Sequence, residues 1–198
     1  MPVSDIFNVE KQLTFYGAYH SNKVNILIHI ICVPMIVWTF QALVAPLPVP
    51  DFLPTYHYAL NDYMLFEVNY ASIMGAIYLA YYFILEPVAA LSYTPQMLVT
   101  VLTATAFSKT PGYVTTAATV HAFSWIAQFL GHGLAEGRAP ALLDNLLGAV
   151  VLAPFFVHLE ILYALGYRPE MHKRINNAIG MEIARIRKAE GDKRRKAQ

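Results

Sequence analysis

Two stretches of the chain place histidines beside other polar residues within otherwise apolar sequence. In the second stretch Gln128, His132 and Glu136 follow one another at intervals of four, so on a helix they form one polar stripe. A polar stripe on an apolar helix must face protein or water, and imidazole and carboxylate groups together can bind a metal. Gly131 and Gly133 would let a backbone or a ligand approach His132 closely.

The first stretch carries Asn25 and His29, which are four residues apart and share a helix face. His20 lies nine residues before His29, and on one continuous helix that spacing corresponds to opposite faces. The two histidines can share a metal only if the chain bends between them. The polar sequence at 21–23 predicts such a bend, because it favours a turn and a new helix cap.

Other polar residues near these stretches are less specific. Arg138 follows the predicted end of the polar-striped helix, where it could pair with a carboxylate or a lipid headgroup, or anchor the helix at an interface. Glu160 stands in an apolar run and needs a partner, which predicts a place in a buried network. His121 shares a face with His132 but is roughly 16 Å away along a helix, too far to share a metal.

The chain lacks the motifs of several enzyme classes. HExxH, GxSxG, GxGxxG and P-loop patterns are absent, as are the histidine boxes of membrane di-iron enzymes. One mononuclear site built from a few histidines, with or without a carboxylate, is what remains. Such a donor set suits Fe(II) or zinc, and spacing alone does not decide between them.

The composition indicates where these residues lie. Of 198 residues, 57% are hydrophobic and 14% are charged, and mean hydropathy is +0.42. Soluble domains average about 25% charged residues, so the composition argues against an ordinary soluble fold and excludes a nucleic-acid binder. The single cysteine, Cys32, excludes a disulfide scaffold. The prediction is an all-α, polytopic membrane helix bundle that binds lipid.

About five hydrophobic segments are candidates for membrane spans. They cover residues 24–46, 64–85, 88–107, 113–135 and 144–166, preceded by an amphipathic helix at 5–20. Residues 168–198 hold ten Lys and Arg against four Asp and Glu, typical of a cytoplasmic, lipid-facing end. We therefore predict one membrane-embedded catalytic domain at 1–168 and a basic surface helix and tail at 169–198.

The two histidine stretches constrain the topology. They can meet on one side of a membrane only if 88–107 crosses it, although Ser92, Thr94 and Pro95 interrupt that segment. If both termini are cytoplasmic, the segment around Pro154 is then expected to enter the membrane and return. Otherwise the tail lies on the opposite side.

The two histidine stretches resemble a known family. Their sequences are FYGAYHSNKVNILIHIICVP and WIAQFLGHGLAEGRAPALLDNLLGAVVLAPFFVHLEILYALG. They are similar to the two signature segments of a small family of membrane 2-hydroxy fatty acid dioxygenases, long known only as a domain of unknown function. The resemblance spans roughly residues 12–168. That family includes the endoplasmic-reticulum enzyme of fungal phytosphingosine degradation. The resemblance therefore implies a role in sphingolipid metabolism and in the α-oxidation of fatty acids.

The resemblance implies an Fe(II)-dependent dioxygenase that uses O2 to shorten a 2-hydroxy fatty acid by one carbon, without 2-oxoglutarate. It implies His20, His29 and His132 as iron ligands. It implies catalytic roles for Gln128, for Glu136, which would orient a histidine or take the hydroxyl proton, and for Arg138, which would meet the carboxylate. Substrate-binding or supporting positions are Tyr16, Asn25, Asp144, Asn145 and Glu160.

Two other functions stay open at this level. The polar stripe could be interhelical glue in a non-catalytic lipid-binding or scaffold membrane protein, or a proton path in a small transporter; metal content separates these from the enzyme. The expected location is the endoplasmic reticulum for a eukaryotic chain, since Arg195-Lys196 resembles a retrieval tail, or the inner membrane for a bacterial one. Oligomeric state is left open.

Overall fold

Helices account for most of the described chain, as the long apolar runs predict. The computed structural model describes residues 3–137 and 146–196. After a short 3-10 helix, Val3–Phe7, the helices are α1 Val9–Gly17, α2 Lys23–Val44, α3 Tyr70–Leu85, α4 Pro87–Phe107, α5 Tyr113–Leu130, α6 Leu146–Ala164 and α7 Pro169–Lys196. A π-helical turn, Gly131–Glu136, extends α5.

The all-α prediction is wrong in one place, because a two-stranded hairpin precedes α3. Strands β1, His57–Asn61, and β2, Met64–Glu67, pair antiparallel. The side chain of Asn61 accepts a hydrogen bond from the backbone N–H of Tyr63 at 2.9 Å, an Asx turn that reverses the chain. The apolar character of 64–67 thus belongs to a strand and not to the predicted 64–85 span.

Because of the hairpin, the next helix has only 16 residues. A membrane-spanning helix requires about 20. Among the described residues, only Lys23–Val44 is by itself long and apolar enough to cross a membrane. Val150–Ala164 and Pro169–Lys196 pass the same test only as a pair bent by 120°. Length and apolarity therefore support one or two spans in the described chain, and not five.

Prolines do not break the helices in which they lie. Helix α4 is continuous through Pro95, and its polar residues are satisfied locally, because Ser92 and Thr94 donate hydrogen bonds to the carbonyls of Ala89 and Ala90. The predicted interruption of 88–107 is therefore wrong. Helix α6 likewise continues through Pro154, so the chain does not turn back there as the re-entrant alternative required.

The reversal comes after α6 instead. Gly166 adopts φ +87° and Arg168 φ +41°, and the N–H of Tyr167 donates to the carbonyl of Leu162, a helix-ending arrangement that favours glycine. Arg168 and the Tyr167 hydroxyl both contact the buried carboxylate of Glu86 between α3 and α4, at 3.0 and 2.8 Å. This ion pair ties the start of α7 to the α3–α4 junction.

The main core lies where α3, α4 and α6 meet. Tyr82 is fully buried, stacks on Phe155 with ring centroids 4.4 Å apart, and donates its hydroxyl to the carbonyl of Val151 at 2.6 Å. Leu13 and Tyr16 of α1 join the same core, and Ile179 of α7 packs beside α1. The core thus holds α1 against α6, and this arrangement sets the position of His20, which lies just after α1.

The start of α3 depends on Asn69. Its side chain accepts from the N–H of Ser72 while Ser72 accepts from the N–H of Asn69, and its amide donates to Thr105 of α4 at 3.2 Å. We predict that Asn69→Ala lowers the free energy of unfolding by about 1 to 2 kcal/mol, measured by denaturant titration in detergent. Asn69→Asp, which keeps the acceptor for Ser72, should lose less; equal midpoints for both variants would contradict this role.

Candidate metal centre

His29 is presented by the second turn of α2. Asn22 caps this helix by accepting a hydrogen bond from the N–H of Val24 at 2.8 Å, so the helix starts at a defined residue. The Nδ1 of His29 donates to the carbonyl of Asn25 at 2.9 Å. That bond fixes the tautomer and leaves Nε2 as the free acceptor.

His20 lies in the turn between α1 and α2, the bend that the sequence at 21–23 predicts. Its Nδ1 donates to the carbonyl of Tyr16 at 2.8 Å, which again leaves Nε2 as the acceptor. Its ring stacks on Tyr16 with centroids 4.1 Å apart and planes within 6°. Tyr16 packs in turn on Phe156 of α6, so the core of the bundle orients this histidine.

His132 is carried by the π-helical turn at the end of α5. Turns of this kind are rare and occur frequently at functional sites. Gly131 makes the close approach to α2 possible, because a Cβ at that position would lie 2.7 Å from the Oδ1 of Asn25. The predicted role of Gly131 is thus seen, whereas a Cβ at Gly133 would meet no atom within 4 Å.

The three histidines converge on one point. Their ring centroids are 4.4, 4.7 and 5.0 Å apart, and one ring nitrogen from each lies within 4.8 Å of the others. Metal–imidazole bonds are about 2.0–2.1 Å long, so this spread is close to what a single ion requires. All three side chains are buried.

Their hydrogen bonding also fits a metal. The Nε2 of His20 and the Nδ1 of His132 are buried without a hydrogen-bond partner among the described residues. A buried polar atom left unpaired costs about 1–3 kcal/mol, whereas a metal would use the lone pair. Three imidazoles are a donor set for Fe(II) or zinc and leave coordination positions open for other ligands.

The electrostatics favour neutral ligands. Burial, and after it the nearby ring of His29, lower the pKa of His20 well below its ordinary value. His20 is therefore unprotonated at neutral pH, which is the form that binds metals.

Glu136 joins the two halves of the centre. Its Oε1 accepts from the backbone N–H and the hydroxyl of Ser21, and its Oε2 from the N–H of Asn22 at 2.9 Å and the amide of Asn25 at 3.3 Å. Burial alone would raise the pKa of Glu136, but these donors outweigh it and lower the pKa below the usual value. The ionised carboxylate thus holds the π-helical turn against the start of α2.

A cavity of about 260 Å³ begins at the three histidines and runs between α2, α3, α5 and α6. Apart from the histidine end its wall is mainly aliphatic and aromatic, with Val33, Phe40 and Phe129 among the lining residues. Gln128 lines it one turn before His132, and the Nε2 of Gln128 is buried without a partner among the described residues. The cavity therefore has a polar end with an available donor and an apolar body.

His121 lies in the cavity wall away from the three histidines. Its Nδ1 donates to Thr39 at 2.8 Å, and its Nε2 accepts from the indole N–H of Trp125 at 3.0 Å. Both ring nitrogens are thus occupied. This arrangement agrees with the expectation that His121 does not share a metal with His132.

Only some of the other predicted site residues lie at the centre. Tyr16 lines the cavity and Asn25 lies against the π-helical turn. Glu160 is half-buried on α6 and is not among the described residues that line the cavity. Arg138, Asp144 and Asn145 lie outside the described residues.

Sequence reasoning missed several contributors. Ser21 and Asn22 were predicted as a turn and a helix cap, which the structure confirms for Asn22, but their bonds to Glu136 were not foreseen. Phe156 was not singled out, although it packs on Tyr16. The sequence did offer a signal for the contacts of Ser21 and Asn22, because the polar residues at 21–23 could serve as partners for the glutamate at 136. Contacts between α1 and α6 leave no local signal in the sequence.

Comparison with known proteins decides the family. The model of the family described as 2-hydroxy-palmitic acid dioxygenase Mpo1-like matches residues 6–165. The chain belongs to the Mpo1-like family. The resemblance seen in the two signature segments is thereby confirmed, and the match runs from the end of the first short helix through α6.

One curated relative within this Mpo1-like group is the 2-hydroxy-palmitic acid dioxygenase MPO1 of Saccharomyces cerevisiae. It is 26% identical over 189 residues, which cover 92% of this chain and 95% of the yeast protein. No solved structure matches the chain.

The geometry predicts which histidines retain a metal. Alanine at position 20, 29 or 132 should each abolish stoichiometric metal binding, because each removes one of three converging nitrogens. Metal content of the purified protein after anaerobic loading, by mass spectrometry of the elements, is the measurement. His158→Ala is the matched control, since His158 bonds to Ser92 on α4 away from the centre; retention of metal by all three variants would refute the assignment.

Glu136 should act through position and not as a ligand. Glu136→Gln keeps the size but puts an amide beside the N–H donors of Ser21 and Asn22, so we expect metal affinity to fall about 10- to 100-fold with the helical content unchanged. Metal titration against a competing chelator measures this. Glu10→Gln, at an exposed pair with Arg174, is the control. Unchanged affinity in Glu136→Gln would show that the clamp is dispensable.

Proposed function

We propose that this chain is a non-haem Fe(II) dioxygenase that converts 2-hydroxy fatty acids into fatty acids one carbon shorter. The observation that carries the proposal is the group of three buried histidines at the polar end of an apolar cavity, two of which have a buried ring nitrogen without a partner among the described residues. Membership of the Mpo1-like family supports the substrate class, since both the family and the yeast relative are named for 2-hydroxy-palmitic acid.

The unpaired nitrogens also weigh against a non-catalytic scaffold protein. Histidines that serve as interhelical glue satisfy both ring nitrogens, as His121 does. Two buried nitrogens without partners are costly in a scaffold protein and are explained by a metal. Iron is favoured over zinc because zinc has no redox chemistry. When bound, Fe(II) supplies the centre at which O2 is activated.

The residues of the chain bind and orient the substrate. The apolar body of the cavity takes the acyl chain, and the hydroxy-acid end lies at the histidines. The free amide of Gln128 is placed to donate a hydrogen bond to that end, and Tyr16 closes the cavity beside His20. Holding the reacting carbons in one geometry is a large part of catalysis in such a site.

Three further roles derive from the family resemblance. Arg138 is proposed to pair with the substrate carboxylate, and Asp144 and Asn145 to support that contact. Glu160 is proposed to serve a buried network on α6. For Glu136 the hydrogen bonds favour a positioning role, because both carboxylate oxygens already accept hydrogen bonds from the start of α2.

The overall reaction balances without an added reductant. A 2-hydroxy acid and one O2 give the shortened acid, carbon dioxide and water; the C1–C2 bond breaks, the substrate loses four electrons and O2 gains four. The shortened acid keeps the former C2 as its carboxyl carbon. No other oxidisable co-substrate is required.

The chain is proposed to act within a membrane. The outward face of α2 exposes Val24, Leu27 and Ile31, and α5 exposes Phe123 and Ile126, all between 55% and 65%. Such apolar outer faces suit lipid better than water. The endoplasmic reticulum, or the inner membrane of a bacterium, is the proposed location, with 2-hydroxy acids entering the cavity from the bilayer.

The test is a single-turnover assay. Protein purified in detergent without O2 is loaded with Fe(II), given 2-hydroxypalmitic acid and then exposed to O2, and pentadecanoic acid is sought by mass spectrometry. We expect the product with the unsubstituted protein and with His158→Ala, and none with His132→Ala, with chelator or with zinc. Iron-loaded protein that binds the acid and forms no shortened acid would overturn the proposal.

A further inference from the structure

A second cavity, which is open to the protein surface along Leu47 and Ile77, adjoins the first. It has a volume of about 590 Å³ and lies between the end of α2, the beginning of α3 and residues 47–48. Its described lining is aliphatic and aromatic, with Val44, Ile73 and Ile77 among it and no charged side chain. Such a surface suits hydrocarbon and offers nothing to a charged ligand.

The two cavities meet at three side chains. Phe40 of α2, and Met74 and Tyr78 of α3, line both of them. Met74 and Tyr78 are one helical turn apart and therefore share a face of α3. These three side chains therefore form the boundary between the two cavities, and we call them the constriction.

The distance along α2 from His29 to Phe40 indicates which acyl chains would reach the constriction. Phe40 lies eleven residues after His29, which corresponds to about 16 Å of helix, and Val44 lies about 6 Å further. The hydrocarbon of one membrane leaflet is about 15 Å thick, half of a core of about 30 Å. An acyl chain of membrane-lipid length, held at the histidines, thus ends near Phe40, and a longer chain must pass it.

We infer that Phe40, Met74 and Tyr78 set the acyl-chain length that the site accepts, and that the second cavity holds the distal end of long 2-hydroxy fatty acids. The inference rests on the proposed function, since the carboxyl end must lie at the histidines. Because the two cavities share this boundary, the tail of the same ligand is favoured as the occupant of the second cavity over an unrelated lipid. The flexible thioether of Met74 and the rim position of Phe40, which is 45% exposed, suit a constriction that yields to a passing chain.

The experiment compares chain lengths in one mixture. Iron-loaded protein receives equal amounts of 2-hydroxylauric, 2-hydroxypalmitic and 2-hydroxylignoceric acids, and the shortened products are quantified. Phe40→Ala should raise the ratio of longest to shortest product about tenfold, and Phe40→Trp should lower it by a similar factor, the scale on which apolar pockets discriminate. Phe123→Ala, an exposed phenylalanine of α5 outside both cavities, should leave the ratio unchanged.

A second variant approaches the same question from the other side of the constriction. Val44→Trp partly fills the second cavity without touching the first, so it should suppress only the longest substrate. Displacement of a fluorescent fatty acid by the three acids gives a binding readout that does not need turnover. The ranking of displacement should change in the same direction as the product ratio for each variant.

The outcomes separate this inference from the proposed function. Turnover with the same length profile in the Phe40 and Val44 variants and the control would overturn the inference and leave the proposed function standing. If no 2-hydroxy acid is converted but displacement still changes with chain length in these variants, the proposed function fails and the acyl-binding role of the constriction stands. Displacement that does not change overturns the inference in either case.

Discussion

A single carboxylate holds together the two parts of the chain that carry the histidines. Glu136 accepts hydrogen bonds from Ser21, Asn22 and Asn25, more than a hundred residues away in sequence. The same contacts fix the two residues that precede α2 and the end of the π-helical turn. Convergence of His20, His29 and His132 is supported by this contact, because it joins the turn between α1 and α2 directly to the extension of α5.

Helix α2 has an arrangement opposite to that of a soluble amphipathic helix. Its inner face buries Asn25, His29, Thr39 and Gln41, while its outer face exposes Val24 and other aliphatic residues. Polar groups turned inward and apolar groups turned outward are expected of a helix surrounded by lipid, where polar atoms must find partners within the protein. The helix can therefore supply a metal ligand near one end and an apolar cavity wall along the rest.

The residues of the centre were easier to predict than its geometry. Two sequence features identified the residues of the centre: the spacing of Gln128, His132 and Glu136, and the polar break after His20. Both could be recognised because helical periodicity is a local property of the sequence. The π-helical turn left no such signal, and neither did the packing of Phe156 on Tyr16, which depends on how α1 and α6 meet. The roles of Arg138, Asp144, Asn145 and Glu160 stay predictions.

The elements were predictable to a similar extent. Long apolar runs indicated the helices, but hydropathy alone could not distinguish the strand at 64–67 from the start of a helix, since both are apolar. Prolines at 95 and 154 suggested breaks that do not occur. In α4 nearby hydroxyl groups bond back to the helix and help it continue past the missing N–H.

The π-helical turn, Gly131–Glu136, makes this segment respond differently to deletions and to insertions. A π-helical turn holds about one residue more than an α-helical turn for the same rotation. Removing one residue between His132 and Glu136 could therefore be absorbed by relaxation to an α-helix, with Glu136 still facing α2. An added residue has no such compensation and would turn Glu136 away by about 100°, so the length of this segment is constrained more strongly against insertion than against deletion.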